Sequence, residues 1–184
     1  QTLGEDQVVE FHIGDASPFL DFDRGLLATL DPLVDTQTLP LQLRNHAEVR
    51  VRAFAVEPSG WAAFRTYWEQ RWEEREFVSP PFAEIYDGVQ ATDAPPNERF
   101  EARIDLEPIF GGNPGMAVVV IEGVGELADL DPSTDRYYWD NQPVVQWVQA
   151  TKVGVDLIAD NADGWAWVTD LTTGQPVEGA AVEL

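Results

Sequence analysis

The stretch GWAWVTDLTTGQPVEGAAVEL, residues 164–184, carries the pattern that decides the fold. From Trp165 to Leu171 the side chains alternate with a period of two, which is typical of a β-strand whose two faces have different surroundings. Residues 172–175 are turn formers, and Pro176 suits the first position of a strand, where a missing N–H does no harm. The stretch therefore predicts a strand, a tight turn and the start of a second strand.

The composition indicates a folded and strongly acidic protein. The chain has 184 residues, of which 44% are hydrophobic and 11% aromatic, enough for one good core. Its 33 acidic and 11 basic residues give a net charge of −22. A surface of this sign repels phosphate groups, so nucleic acid and anionic membranes are poor partners, and we expect the chain to be monomeric.

Cysteine is absent from the sequence. This excludes disulfides, thiolate metal sites and cysteine nucleophiles within the chain. No apolar run reaches the ~18 residues of a membrane span. The chain begins with Gln1 rather than Met, and we therefore expect it to be a piece of a longer polypeptide.

Several segments predict strands. Residues 8–14, 39–43, 48–56 and 99–106 alternate between apolar and polar positions, and 39–43 with 48–56 suggests a half-buried strand pair. Residues 116–123 form a short apolar run, which is typical of a strand buried on both faces.

One segment between these strands has the period of a helix. Trp61, Phe64, Trp68 and Trp72 follow at spacings of three, four and four, so all four rings lie on one side of an amphipathic helix. Ser59 is the candidate N-cap. We expect this stripe to pack on its own domain, with an exposed partner-binding groove as the alternative reading.

The strand count divides the chain. Residues 7–149 hold about seven strands, enough for a sandwich of two sheets. Residues 151–184 hold two or three strands in a length below the ~40 residues that usually fold unaided. We therefore predict an all-β, immunoglobulin-like antiparallel sandwich over 7–149 with one inserted helix. Residues 151–184 would be the first strands of a second, truncated sandwich.

No constellation of side chains points to catalysis or to a cofactor. His12 and His46 are the only histidines, and their positions favour structural or solvent-facing roles. The motif of serine hydrolases is absent around the four serines, which are Ser17, Ser59, Ser79 and Ser133. The loop GGNPG, residues 111–115, leads into a strand and lacks Lys, so we interpret it as a turn rather than a phosphate site.

The acidic loop of residues 127–143 raises the question of calcium. Its candidate ligands are Asp129, Asp131, Asp135 and Asp140. Carboxylates suit this ion, but the spacing lacks the glycine and glutamate of an EF-hand loop, which favours a solvated loop. We therefore assign no catalytic, cofactor-binding or metal-binding residue, and the sequence predicts a protein that is not an enzyme.

The sequence resembles bacterial alpha-2-macroglobulins, in the macroglobulin domains near their N-terminus. The hairpin pattern "VWVTDL.TG.PV.GA.V" of that family is matched by Trp167, Val168, Thr169, Asp170, Leu171, Gly174, Pro176, Val177, Gly179, Ala180 and Val182, and the strand before it by Thr151 and Gly154. Residues 39–64 are similar to the segment "LPL...NV..V.VR.YRV....L..F" through Asn45, Val49, Val51, Arg52 and Val56. Residues 114–120 match a "PG.Y.V" step, with Met116 and Ala117 where an aromatic residue is usual.

This resemblance implies a part of a large exported protease trap, located in the periplasm or at the cell surface, with a lipid anchor of the full-length parent as one option. In that family a protease cleaves a bait region and the domains rearrange around it, and a thioester made from Cys and Gln can attach to the protease. Without cysteine this chain cannot contain the thioester. The implied partners are neighbouring macroglobulin domains of the same chain and, through the parent, proteases.

Two other functions stay open at this point. The aromatic residues of a carbohydrate-binding or adhesive β-sandwich module would be Trp165, Trp167, Trp139 and Tyr137, exposed together as a face on which sugars stack. A calcium-dependent adhesion domain would instead use the acidic loop.

Overall fold

The computed structural model describes residues 10–22, 25–32, 36–71, 77–131, 134 and 138–182. The strands are β1 (Phe19–Asp21), β2 (Leu27–Leu30), β3 (Thr38–Arg44), β4 (Glu48–Ala55), β5 (Glu84–Ala91), β6 (Phe100–Asp105), β7 (Gly115–Gly123), β8 (Val144–Ala150), β9 (Val153–Ala159) and β10 (Gly164–Asp170). The helices are α1 (Trp61–Gln70) and the short α2 (Glu107–Phe110), and 3-10 turns span Pro58–Gly60, Gly125–Leu127 and Trp139–Asn141.

The strands form three sheets. One has three strands in the order β1-β3-β6, one has five in the order β2-β8-β7-β4-β5, and β10 pairs with β9 in a hairpin. All pairings are antiparallel except that of β2 with β8, in which Leu27 lies opposite Trp147. The predicted fold class, a mostly antiparallel β-structure with an amphipathic helix, is confirmed, and the parallel edge is an addition to it.

The predicted pairing of residues 39–43 with 48–56 is wrong. These segments are β3 and β4, but β3 pairs with β1 and β6, whereas β4 pairs with β5 and β7. Residues 45–47 carry the chain from one sheet to the other, and Asn45 takes a positive φ of 58° there. A short connection in sequence therefore joins two sheets of the sandwich rather than two neighbouring strands.

The main core lies between the three-stranded and the five-stranded sheet. Its buried members alternate along the strands and include Leu39, Leu41, Leu43, Val49, Val51, Ala53, Ala102, Ile104, Ala117, Val119, Ile121 and Val148. At one edge the side chain of Gln90 closes the sandwich: its amide donates to the carbonyl of Asp105 at 2.8 Å and accepts from the Asp105 N–H at 2.9 Å. The edge strand β5 is thus tied to β6 in the opposite sheet.

Helix α1 covers the other face of the five-stranded sheet. Phe64 is fully buried there against the outward side chains of β4, β7 and β8, which are Phe54, Val118, Val120, Val145 and Trp147. The central strands are therefore buried on both faces, as the apolar run 116–123 predicts. The helix begins after Gly60, which occupies the N-cap position, so the prediction of Ser59 as N-cap is wrong. Trp72 lies outside the described residues.

Two predicted strands do not form over the described residues: the one over residues 8–14 and the one that begins at Pro176. Residues 10–14 are in no strand, and residues 8 and 9 are outside the described part. After β10 the chain turns through 171–175, as expected, but pairs again only through one bridge between Thr169 and Pro176.

Candidate functional site

The most conspicuous surface is the hairpin of β9 and β10. Opposite pairs place Val155 with Val168 on one face, and Ile158 with Trp165 on the other. Trp165 is 72% exposed and Ile158 is 71% exposed. A two-stranded sheet with large apolar side chains in water on both faces is unusual for a finished domain, and such patches mark contact surfaces.

The turn between β9 and β10 and the turn after β10 are each held by a carboxylate. Asp170 accepts hydrogen bonds from the N–H groups of Thr172 and Thr173, both at 2.9 Å, and from the Thr173 hydroxyl at 3.1 Å. The bond from the Thr173 N–H is the main cause that lowers the pKa of Asp170. Asp160 receives the N–H groups of Ala162 and Asp163 in the same way, which lowers its pKa. Local hydrogen bonds thus order both turns, although strands β9 and β10 are largely exposed to solvent.

An aromatic cluster joins α1 to the sheet. The ring of Trp147 lies 5.3 Å from that of Trp61 at an interplanar angle of 86°, and 5.4 Å from that of Phe64. Edge-on contacts of this kind stabilise buried aromatic pairs. Trp68 is half-buried, and the guanidinium of Arg71 lies 4.8 Å from its ring centre. The predicted stripe of rings therefore packs on its own domain over the described part of the helix.

A charged network crosses the outer face of β4, β5 and β7. Arg50 forms a two-point contact with Asp87, at 2.8 and 2.6 Å, and its hydrogen bonds lower the pKa of Asp87. Arg52 donates to Glu122 at 3.0 Å and to the Ser79 hydroxyl at 3.0 Å. The nearly buried guanidinium of Arg52 is thus paired with a carboxylate, as the burial of a charge requires.

Beside this network, Tyr67 on helix α1 and Arg71 directly after the helix have pKa values that are shifted by burial. The hydroxyl of Tyr67 donates to the carbonyl of Val78 at 2.7 Å, and burial raises its pKa to about 12. Burial lowers the pKa of Arg71 to about 10. Neither value lies near neutrality, so Tyr67 stays neutral and Arg71 charged at pH 7.

A second polar cluster surrounds His46. Its Nε2 lies 2.7 Å from Oδ1 of Asn141, whose amide nitrogen donates to the carbonyl of Pro18 at 3.1 Å. Burial is the main cause that lowers the pKa of His46, and the hydrogen bond with Asn141 acts in the opposite direction.

Asn45 and Asn97 form the neighbouring part of this cluster. Asn45 donates to the carbonyl of Ala16 at 2.6 Å and accepts from the N–H of Asn97 at 2.6 Å. Asn97 takes a positive φ of 65° in doing so. These amides fasten the segment before β1 to the end of the sandwich.

Of the other residues considered from sequence, those that the structure describes do not form a common site. His12 is exposed, and Ser79 is a partner of Arg52. Among the residues that the structure describes, no three potential ligands gather as a metal site would need, while Asp135 and Ser133 lie outside them. Trp139 is 65% exposed, and Tyr137 is outside the described part. No helix in the described ranges has the length and apolar character needed to cross a membrane.

Sequence reasoning missed the partners in both polar clusters. Glu122 ends an apolar run, and Asn141 lies 95 residues from His46. A lone acid in an apolar strand, opposite the alternating Arg50 and Arg52, is the only signal that points to the first cluster. Nothing local in the sequence indicates the second.

Comparison with solved structures shows which known fold this chain shares. A crystal structure of native alpha-2-macroglobulin from Escherichia coli spanning domains NIE-MG1 has a TM-score of 0.61 and 20% identity, over 89% of this chain and 74% of that one. The fold is that of bacterial alpha-2-macroglobulin domains. A longer Escherichia coli structure, MG0-NIE-MG1, agrees at a TM-score of 0.58 and 18% identity, with 89% of this chain and 48% of that one covered.

The alpha-2-macroglobulin fold extends to a second genus. A Salmonella alpha-2-macroglobulin mutant, Y1175G, matches at a TM-score of 0.53 and 17% identity, over 89% of this chain and 10% of that chain. This chain therefore spans about a tenth of the longer protein. No family model matches the sequence, and no curated protein matches it significantly.

Proposed function

We propose that this chain is a non-catalytic structural part of an exported bacterial alpha-2-macroglobulin, where it forms part of the frame of a protease trap. The observation that carries the proposal is the fold shared over 89% of the chain with alpha-2-macroglobulins from two genera. The sequence resemblance over residues 39–64 and 147–184 supports the same assignment independently of the fold.

In this proposal residues 7–149 are one complete domain and residues 151–184 are the first strands of the next. The five-stranded sheet is completed by β8, which ends at Ala150. In the described residues β9 and β10 form strand pairs only with each other, and their apolar side chains face water. The Escherichia coli structure that shares this fold is likewise described as spanning domains, NIE-MG1.

The polar clusters support a structural rather than a catalytic role. The carboxylates of Asp87 and Glu122 form ion pairs with Arg50 and Arg52. His46 is buried, and its ring is hydrogen-bonded to the neutral side-chain amide of Asn141. A general base needs access to a substrate proton, which this burial denies to His46. We assign the chain neighbouring domains of the same polypeptide as its direct partners, proteases as partners of the parent, and a periplasmic or cell-surface location.

The test uses the full-length parent protein and a protease of broad specificity. A trap that encloses the protease blocks cleavage of a large protein substrate and leaves cleavage of a small chromogenic peptide intact, because only the small substrate reaches the enclosed active site. Inhibition of the large substrate alone supports the proposal. If both substrates are cleaved at the uninhibited rate, or if both are blocked, the proposed trap is wrong.

Carbohydrate binding remains the second candidate because Trp165 and Trp167 lie on one face of the hairpin and are 72% and 59% exposed. The proposals differ in what covers these rings: further strands of the same polypeptide, or a sugar. A glycan array with the wild type and with Trp165→Ala distinguishes them. Binding that this variant loses, and that Trp139→Ala keeps, would favour the sugar.

A further inference from the structure

The turn between β3 and β4 holds a histidine, His46, that is only 1% exposed. Asn141 donates through its amide nitrogen to the carbonyl of Pro18, so its Oδ1 faces His46 and must accept. The hydrogen therefore lies on Nε2 of His46. The other ring nitrogen, Nδ1, is bare, buried and without a hydrogen-bond partner.

A second proton on His46 has no acceptor. It would place an N–H and a full positive charge at Nδ1, in a position closed to water. Burying a charge without a partner is strongly unfavourable, so the folded cluster selects the neutral ring. The lowered pKa of His46 has this cause.

The cluster joins four segments that are distant in sequence. The hydroxyl of Thr92 donates to the backbone carbonyl of His46, and the Thr92 N–H donates to the carbonyl of Ala47 at 3.0 Å. Asn141 brings in the 3-10 turn Trp139–Asn141 and, through Pro18, the segment that leads into β1. His46 is thus the point at which the segment 15–18, the β3–β4 turn, the β5–β6 loop and the 3-10 turn meet.

No charged side chain on these segments pairs with the imidazole. Those charged side chains are Asp15, Arg44, Glu48, Asp93, Glu98, Arg99 and Asp140. The carboxylate of Asp15 accepts from Asn97, Arg44 donates to the carbonyl of Ser17, and Arg99 lies over the ring of Phe19. The only hydrogen bond of the His46 ring within the described ranges is the one to neutral Asn141.

We propose that His46 is a pH-sensitive latch, which in its neutral form fastens the segment 15–18 and the 3-10 turn Trp139–Asn141 to the β3–β4 turn and releases them when protonated. Well above pH 6.5 the ring is uncharged in both the closed and the open chain, and the latch holds in full. Below about pH 6.5 the open chain takes up a proton that the closed cluster resists, so the opening constant rises by up to ~10-fold per pH unit.

Hydrogen exchange of single amides, followed by NMR on the 184-residue chain at pH 7.5 and 5.0 and corrected for intrinsic rates, tests the latch. We expect the protection of the Ala16 and Asn97 amides to fall by ~10-fold or more, while that of Val119 in β7 is retained. His46→Gln keeps an N–H for Asn141 but does not titrate, so its protection should not respond to pH in this way. His12→Gln should behave as the wild type.

Two results would overturn the latch: wild-type protection that does not change with pH, or an equal loss in His46→Gln. If His46→Gln fails to fold, the ring nitrogen shifts of His46 in the wild type decide, with His12→Gln assigning the signals. A bare Nδ1 and a titration below pH 6.5 support the proposal, whereas a titration at or above that value contradicts it.

Discussion

Trp147 in the sandwich and Trp167 in the hairpin occupy strands of similar composition but have opposite surroundings. Trp147 is 2% exposed and Trp167 is 59% exposed. Trp147 lies in a sheet covered by a second sheet on one face and by α1 on the other. Trp167 lies in a two-stranded sheet, and within the described part of the chain no third strand joins that sheet. An alternating sequence thus predicts a strand, but a covering layer decides its burial.

The difference is also one of stability. Isolated two-stranded hairpins are marginal in water, and they need more strands or a packed layer to persist. The hairpin here is supported by its turn carboxylates, Asp160 and Asp170, while its strands gain little from burial. The sandwich should therefore account for nearly all of the free energy of unfolding, which matched substitutions in the two regions can measure.

The largest contrast is expected at the two tryptophans. Trp147→Ala removes a ring packed against Trp61 and Phe64, and should lower the free energy of unfolding by ~3–5 kcal/mol. Urea denaturation monitored by far-UV circular dichroism measures the loss. A loss below about 1 kcal/mol would show that the covering helix does not bury this ring.

The buried ion pair should come next. Glu122→Gln leaves the nearly buried Arg52 without its closest carboxylate and should cost ~2–3 kcal/mol, less than a fully buried pair because Glu122 keeps some contact with water. Asp156→Asn is the matched change in the hairpin, at an exposed position. The same urea titration should show no measurable effect for Asp156→Asn. An equal loss of free energy of unfolding in both variants would refute the expected difference between the sandwich and the hairpin.

Two glycines provide a smaller contrast. A Cβ at Gly123 would lie 2.9 Å from Cβ of Leu127 and 3.0 Å from its carbonyl oxygen, whereas a Cβ at Gly164 would meet nothing within 4 Å. We expect Gly123→Ala to destabilise the protein by ~1–2 kcal/mol through overpacking. Gly164→Ala should leave the thermal midpoint unchanged. A comparable drop of the thermal midpoint in both variants would contradict this expectation.

The smallest effect is expected for Trp167→Ala. Because most of the ring is already in water, its removal should change the free energy of unfolding by less than ~0.5 kcal/mol. The measurement is the same urea titration used for Trp147→Ala. A loss above 2 kcal/mol would mean that the hairpin is packed in solution.

Local patterns in the sequence identify the long elements well. The apolar run of β7, the alternation in β6 and the ring spacing of α1 each reflect burial that is set within one segment. The short strands β1 and β2 were missed, since three or four residues give too little periodicity to recognise. The edge strand β5 was missed too: it keeps only partial burial and contains Gly88, which the ring of Tyr86 covers.

Features that depend on distant residues could not be predicted. Whether β3 pairs with β4 or crosses to the other sheet depends on β6 and β7, which come later in the chain. The partner of His46 is likewise 95 residues away. The predicted strand over residues 8–14 has the right alternation, but residues 10–14 have no strand partner within the described structure.

Removal of the hairpin shows whether the sandwich folds without strands β9 and β10. A chain ending after Lys152 keeps all of β8 and the hydrogen bond from the Thr151 N–H to the carbonyl of Leu30. We predict that it unfolds in urea at the same midpoint and with the same cooperativity as the 184-residue chain. A truncated chain that fails to fold, or whose free energy of unfolding is lower by more than ~2 kcal/mol, would contradict the claim that the sandwich is complete without the hairpin.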